Sequence, residues 1–222
     1  MNKKSVISAS MMCVNPFTLN ETFSTLEKEN IEYLHLDIMD GIFVPNLGLS
    51  LDWINSLRRY TNIPFDYHIM TINPDNILPL LQIQEKDIIS IHYESTPQIL
   101  RTLENAKKYG AKVFLAINPG TPIGVLEELI YFIDGVNLLM VNPGFAGQNM
   151  VPFGFSKAEK LHRFLDERNL DIDFEVDGNI TFENARKLKQ YGANIFVAGT
   201  SSLFDKTGIR NNSIFEMRNH LK

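Results

Sequence analysis

The feature that most constrains this chain is a short apolar segment that returns eight times, each time followed by a more polar stretch with helical spacing. The first four centre on Val6-Ile7-Ser8, Tyr33-Leu34-His35-Leu36-Asp37, Phe65-Asp66-Tyr67-His68-Ile69 and Ile88-Ile89-Ser90-Ile91-His92. The other four cover residues 112–117, 136–141, 174–177 and 195–198. Between them the spacing predicts helices over 97–109, 123–132, 156–168 and 182–191. Asn20 and Glu27 mark the first helix, Thr181 reads as an N-cap, and Gly110 and Gly192 read as C-terminal stops. Strict alternation of this kind calls for a parallel sheet covered by helices. Eight units is the number that closes a (β/α)8 barrel. The alternative is a doubly wound open sheet, whose dinucleotide-binding form wants G-x-G-x-x-G directly after the first strand. Here that turn reads Ser10-Met11-Met12-Cys13-Val14-Asn15, without a glycine. The expectation is one barrel domain over residues 1–222, built from 222 residues where a typical barrel uses about 250.

The units are not evenly spaced. Strand starts near 88, 112 and 136 fall about 24 residues apart, but the seventh begins near 174, some 38 residues later. The surplus exceeds a usual two-to-six-residue connection, and it follows strand six in Asn142-Pro143-Gly144-Phe145-Ala146-Gly147-Gln148-Asn149. In a barrel, that is the face where long glycine-bearing loops become lids or phosphate clamps. Composition acts mainly to exclude. With 21 Lys and Arg against 26 Asp and Glu, the net charge is −5, which lacks the electrostatic footprint of a nucleic-acid binder. The single cysteine, Cys13, rules out an intrachain disulfide framework and fits a reducing, cytoplasmic location. It reads as a small packed residue, since no His or Asn spacing makes it a nucleophile. No apolar run spans a bilayer, and Met1-Asn2-Lys3-Lys4-Ser5 is too short for a signal peptide.

Side chains two apart on a strand share a face. His35 with Asp37, Asp66 with His68 and Met70, and Asp173 with Glu175 and Asp177 therefore point together. Charged groups inside a barrel are costly unless paired or bound to metal. Each of these side chains alone reads as an ordinary hydrogen-bonded or turn residue. Together, His35, Asp37, His68 and Asp177 make a mixed nitrogen and oxygen set from three strand ends. That set suits one divalent ion: zinc first, or iron, cobalt or manganese. Asp66 and Glu175 are candidates for groups that orient the histidines; the alternative is an outward, solvated face. Met39, Met70 and Met11-Met12 gather near the same strand ends, where an apolar lid would lower the local dielectric. Met11 and Met12 also read as simple gap-fillers.

A second constellation is made of glycines: Gly144 and Gly147 after strand six, Gly178 after strand seven, and Gly199-Thr200-Ser201-Ser202 after strand eight. Glycine lets backbone N–H groups approach an anion, and hydroxyls add donors. The loops after strands seven and eight of a barrel are a frequent phosphate site.

Several of these segments resemble the ribulose-phosphate 3-epimerase family. They are His35-Leu36-Asp37-Ile38-Met39-Asp40-Gly41-Ile42-Phe43-Val44-Pro45-Asn46, Asp66-Tyr67-His68-Ile69-Met70, Asn142-Pro143-Gly144-Phe145-Ala146-Gly147-Gln148 and Glu175-Val176-Asp177-Gly178. The resemblance runs from about Ser8 to Phe204 with the motifs in family order. It implies a divalent metal on His35, Asp37, His68 and Asp177, with Asp37 and Asp177 as the two acid/base groups. It also implies that Ser10 and His68 lie against the substrate and that Gly144, Gly147, Gly178, Gly199 and Thr200 surround its phosphate. Self-association is common in the family and is expected here; no nucleic acid or membrane is. Within the family, Ser10-Met11-Met12-Cys13, Asn46-Leu47-Gly48-Leu49-Ser50, Gly144-Phe145-Ala146-Gly147-Gln148 and Gly199-Thr200-Ser201-Ser202-Leu203-Phe204 resemble the D-allulose-6-phosphate 3-epimerases. The favoured substrate is therefore D-allulose 6-phosphate, with D-ribulose 5-phosphate as the alternative. There are departures too: Ile42 for a usual His, Asn15 for Asp, Asn179 for a second Gly, Leu139 for Met and Ala9 for Pro.

Epimerising a carbon beside a ketone removes a weakly acidic proton and returns one to the opposite face, which two bases do directly. A phosphosugar decarboxylase or aldolase would use a Lys at a strand end, and none accompanies Asp37 or Asp40. A non-catalytic phosphosugar-binding barrel is the more distant alternative, and the intact ligand set weighs against it.

Overall fold

The computed structural model describes residues 3–222, in which eight parallel strands close into a barrel. They are β1 (Val6–Ser10), β2 (Tyr33–Met39), β3 (Phe65–Met70), β4 (Ile88–His92), β5 (Lys112–Ile117), β6 (Gly135–Leu139), β7 (Asp173–Asp177) and β8 (Ile195–Ala198). Sequence neighbours are ring neighbours, and β8 pairs with β1 from Val6 opposite Ile195 to Ala9 opposite Ala198. The helices are α1 (Leu19–Lys28), α2 (Leu51–Leu57), α3 (Ile99–Lys107), α4 (Gly154–Glu167), α5 (Phe182–Gln190) and α6 (Ser213–His220).

Alternation along each strand divides the buried residues into two sets. Ile7, Leu34, Leu36, Ile89, Ile91, Val113, Leu115, Val136, Leu138 and Phe196 belong to the large apolar core shared with the helices. Ile88, Phe114 and Ile195, with Val6 and Tyr33 against them, form a separate small plug. These five lie at or near the starts of their strands, so the plug fills the lower barrel. Gly135 belongs to the same packing, because a Cβ there would lie 2.6 Å from the Phe114 ring. Asp173 begins β7 and pairs with Lys112 at 2.8 Å and Lys3 at 3.2 Å. The lowest acid of the Asp173-x-Glu175-x-Asp177 series is thus part of the lower rim.

The expected alternation holds for the strands and is corrected for the helices. Residues 123–132 form two 3₁₀ turns, Ile123–Leu126 and Ile130–Phe132, in place of one α-helix. Gly124 and the β-branched Ile123, Val125 and Ile130 lower helix propensity there. The third unit also lacks an α-helix; Pro74 and Pro79 open the 3₁₀ turns Pro74–Asn76 and Leu78–Leu80. Thr181 caps α5 as expected, its side chain accepting from the Asn184 N–H. Asn20, by contrast, lies inside α1, and the upstream turn is capped by Asn15, whose side chain accepts from the Phe17 N–H. Gly110 and Gly192 follow α3 and α5 with positive φ, and Asn30 and Asn169 do the same after α1 and α4. Asparagine is the side-chain-bearing residue most tolerant of that conformation.

The long segment after β6, residues 140–153, stands as expected, although part of the surplus length is α4 itself, at 14 residues. A second long segment, residues 40–50 after β2, accounts for the wide gap between the starts of β2 at Tyr33 and β3 at Phe65. The two meet where Asn46 donates to the Gly144 carbonyl at 2.7 Å. The segment after β2 returns across its own strand, the Leu49 N–H donating to the Asp37 carbonyl at 2.9 Å. Gly48 makes that crossing possible, since a Cβ there would lie 2.5 Å from the Asp37 carbonyl oxygen. Among the described residues no helix is long and apolar enough to cross a membrane.

Filling the space of Gly135 tests the lower plug. Gly135→Ala should cost about 1–3 kcal/mol by overpacking against Phe114, read as a lower urea midpoint with an unchanged m-value. An unchanged midpoint would mean that the Phe114 ring yields without cost.

Candidate active site

Above the apolar plug the barrel interior turns polar. Ser8, His35, Asp66, Ser90, Asn137 and Glu175 are all fully buried. The inward expectation for Asp66 and Glu175 therefore holds, and the solvated alternative does not. Asp66 Oδ2 accepts from the Ser8 hydroxyl at 2.7 Å and lies 2.6 Å from His35 Nδ1. A carboxylate at that nitrogen keeps a proton on Nδ1, which makes Nε2 the nitrogen able to offer a lone pair to a cation. Glu175 approaches His35 Nδ1 only to 3.6 Å. Both Glu175 oxygens, Asp66 Oδ1, the Ser90 hydroxyl and the Asn137 amide are buried without a hydrogen-bond partner. Burial and the neighbouring Asp66 charge push the Glu175 pKa well above the ordinary carboxyl range.

Next up the barrel, four donor atoms converge. His35 Nε2 lies 3.5 Å from Asp37 Oδ1 and 3.5 Å from Asp177 Oδ2. His68 Nδ1 lies 3.3 Å from each of the same two oxygens and 3.3 Å from His35 Nε2. These are five of the six separations among the four donors, and all four atoms lie within 4.8 Å of one another. His35, Asp37, His68 and Asp177 thus fit one divalent metal by donor type, number and spacing.

The local electrostatics agree. Burial opposes a proton on His35, but the Asp66, Asp37 and Asp177 charges outweigh it and hold its pKa well above the ordinary value. His68 is raised, against the same burial, by Asp177 and Asp37. Burial resists ionisation of Asp37, yet the adjoining His35 and His68 lower its pKa to about 2, and Asp177 falls by the same cause. The pocket is built to hold positive charge.

A cleft with about 600 Å³ of empty space, part of it open to solvent, lies over this cluster. Ser10, Asp37, His68, Gly144, Gly147, Asp177, Gly178, Gly199 and Thr200 all line it. Only His35, buried beneath, does not. Gly178 has φ +106°, and a Cβ there would lie 2.5 Å from Val141. Asn179, which stands where the resemblance leads one to expect a second glycine, keeps φ at +54°. The departure therefore preserves the backbone. Met39, Val44 and Met70, with Met12 and Phe43 against them, form an apolar cluster of their own, as expected of a lid, whereas Met11 joins the main core. Cys13 donates to Ser10 Oγ at 3.5 Å and burial pushes its thiol pKa up, in keeping with a packed residue. Ile42 is 78% exposed and does not line the cleft.

Sequence reasoning missed two residues of the site, His92 and Glu94. His92, at the end of β4, is fully buried with Nε2 2.8 Å from His68 Nε2, and its Nδ1 faces Glu94 at 3.3 Å. Burial lowers its pKa to about 4 against the pull of Glu94. The available signal was its position: His92 shares a face with Ser90 and Ile88 and ends its strand, as His68 nearly does.

The sequence model of the ribulose-phosphate 3-epimerase family matches residues 6–204. The chain belongs to this family. As a ribulose-phosphate 3-epimerase family member it is an enzyme, an isomerase. It is 34% identical over 220 residues to the ribulose-phosphate 3-epimerase of Escherichia coli (strain K12), covering 99% of this chain and 97% of that protein. Identity is also 34% over 196 residues to the Bacillus subtilis (strain 168) ribulose-phosphate 3-epimerase, covering 88% and 90%. With the chloroplastic ribulose-5-phosphate-3-epimerase of Arabidopsis thaliana it is 35% over 198 residues, covering 88% and 70%. The solved structure of 3-keto-L-gulonate-6-phosphate decarboxylase from Vibrio cholerae superposes with TM-score 0.72 at 13% identity, covering 99% and 98%. Phosphoribosyl anthranilate isomerase from Thermus thermophilus gives 0.67 at 12%, covering 97% and 98%. Likeness at that identity concerns the barrel alone.

Removing the carboxylate behind His35 tests how the cluster is held. Asp66→Asn should weaken Zn²⁺ binding by about 10–100-fold, measured by competition with a chromogenic chelator. Because the carboxylates raise the His35 and His68 pKa values, protons compete with the ion as pH falls. Zn²⁺ affinity of the unmodified chain should drop by roughly tenfold per pH unit for each proton displaced. A pH-independent affinity between pH 8 and pH 6 would contradict this.

Proposed function

We propose that this chain inverts C3 of a ketose phosphate, interconverting D-ribulose 5-phosphate and D-xylulose 5-phosphate by two-base proton transfer through an enediolate. The observation that carries the proposal is the pair Asp37 and Asp177, each within 3.5 Å of both His35 and His68, at the floor of a glycine-rimmed cleft. The names of the curated relatives support the pentulose phosphate.

In this mechanism one aspartate removes the C3 proton and the other returns a proton to the opposite face. Asp37 comes from β2 and Asp177 from β7, with β8 and β1 between them in the ring, so the two carboxylates reach the substrate from separate sides. A divalent ion on His35, Asp37, His68 and Asp177, zinc being the best match to this donor set, supplies Lewis acidity for the substrate oxygens beside the reacting carbon. The Ser10 hydroxyl hydrogen-bonds the sugar near that carbon, and His68 borders it. Gly144, Gly147, Gly178, Gly199 and Thr200 surround the phosphate, anchoring the substrate far from C3 so that binding energy serves positioning. Met12, Met39, Val44 and Met70 keep water from the enediolate and lower the dielectric around it.

A second substrate, D-allulose 6-phosphate, is favoured by the motif spellings at Ser10-Met11-Met12-Cys13 and Gly199-Thr200-Ser201-Ser202. It takes second place because the curated relatives bear the ribulose-phosphate name. Self-association belongs to the same proposal, supported by the outward apolar side chains Phe17, Ile42 and Leu47 on segments after β1 and β2; light scattering on the purified chain tests it.

Comparison of kcat/KM on the two phosphates, at one defined metal, should favour D-ribulose 5-phosphate; a clear preference for the hexulose would reverse the order. Solvent deuterium should enter C3 during turnover, which a binding protein would not catalyse. Asp37→Asn should lower kcat by about 10²–10⁴-fold or more. Wild-type turnover in that variant with metal bound would defeat the two-base assignment.

A further inference from the structure

The His68 ring is held from behind by a second imidazole. His92 meets it edge to edge, with centroids 5.0 Å apart, planes 20° apart and the two Nε2 atoms at 2.8 Å. At that distance one nitrogen must carry a proton and the other a lone pair. The choice is made at the far side of His92, where Nδ1 faces Glu94 Oε2 at 3.3 Å. An ionised carboxylate only accepts, so the Glu94 contact draws the His92 ring proton to Nδ1 and leaves Nε2 as the acceptor toward His68. His68 must then donate from Nε2, which leaves its Nδ1 bare. That atom lies 3.3 Å from each of Asp37 Oδ1, Asp177 Oδ2 and His35 Nε2.

We propose that His92 and Glu94 are positioning residues that set the tautomer of His68 and so present its Nδ1 to a divalent ion. The inference rests on the assignment of His35, Asp37, His68 and Asp177 as a metal site. Such a device has a physical reason. In an anionic pocket the two aspartates would themselves favour a proton on His68 Nδ1, the tautomer that cannot bind metal. The relay from Glu94 through His92 opposes this from a direction the aspartates do not reach.

Glu94 is suited to the task because it is pinned. Its Oε1 accepts from the Asn118 N–H at 3.0 Å and from the Thr121 hydroxyl. The backbone behind it is tied to α4, where the Lys157 ammonium donates to the Asn118 carbonyl and, at 2.9 Å, to the Pro119 carbonyl. Asp66 restrains His35 directly through a carboxylate. On His68 the carboxylate acts one imidazole away, so the two ligands present different nitrogens, Nε2 and Nδ1, to one centre.

The pinning supplies a near-isosteric test. In Glu94→Gln the Asn118 N–H can only donate, so it claims the amide oxygen and turns the NH₂ toward His92 Nδ1. His92 then carries its proton on Nε2, and His68 is driven to the Nδ1–H tautomer. Zn²⁺ affinity of the full chain, by chelator competition, should fall about 10–100-fold, and the visible spectrum of the Co²⁺-loaded protein should change. His92→Phe, which keeps bulk and removes the acceptor, should show the same loss. His92→Gln, whose amide oxygen can accept from His68, should recover most of it. Nitrogen-15 spectra of the Zn²⁺-loaded wild type should show the His68 proton on Nε2. Wild-type affinity in both Glu94→Gln and His92→Phe, or a His68 proton on Nδ1 in the loaded protein, would overturn the proposal while leaving the metal site standing. A wild-type chain that binds no Zn²⁺ stoichiometrically would overturn both.

Discussion

The upper half of this barrel depends on negative charge held largely out of water. Asp37, Asp66, Glu175 and Asp177 surround His35 and His68, and removing such ions from water costs several kcal/mol each even after relaxation. The structure meets that cost in three ways. Asp66 is hydrogen-bonded by Ser8 and paired with His35; Glu175 is pushed toward its neutral acid; and Asp37 and Asp177 face two imidazoles across a volume sized for one cation. Each device favours positive charge at one point. Room for a divalent cation and the need to stabilise the fold are therefore one electrostatic problem.

The layers of the barrel divide the work. Ile88, Phe114 and Ile195 close the lower end, so the polar middle layer rests on an apolar floor. The middle layer orients the metal-competent side chains, and the strand ends carry the proposed acid and base. Loops complete the site: the segment after β2 crosses back over Asp37 at Gly48 and clasps the segment after β6 through Asn46. A side chain at Gly48 would separate the loop from the strand whose aspartate it covers.

Barrels with TM-scores near 0.7 and identities near 13% share this scaffold with a decarboxylase and other isomerases. What distinguishes this chain within that scaffold is a set of strand-end residues, in line with the rule that chemistry resides in sites grafted on folds. Family membership comes from sequence likeness along nearly the whole chain. The proposed reaction comes from the placing of two carboxylates and the cavity above them.

Much of the fold and of the site is legible in the order of residues. The eight strands follow from short apolar runs rich in β-branched and aromatic residues, whose signal is local. His35, Asp37, His68 and Asp177 stand out because charge on the inner face of a parallel strand has few other uses. The third and fifth units depart from the helical expectation, because proline, glycine and β-branched residues break them into 3₁₀ turns. Asn20 lies inside α1, whose N-cap Thr18 makes no side-chain bond, and Asn15 caps the separate 3₁₀ turn before it. His92 and Glu94 are silent in the sequence for a different reason. Their meaning lies in which nitrogen of a neighbouring ring bears a proton, and spacing along one strand says nothing about that. The sequence by itself determined the order of strands, the candidate donor residues and the glycine-bearing loops, since these depend on residue type and period. Only the tertiary structure decided the 3.3–3.5 Å separations that make four donors one centre. It alone brought Asp66 to one imidazole and His92 to the other, because those distances arise when β2, β3, β4 and β7 curve into a closed ring.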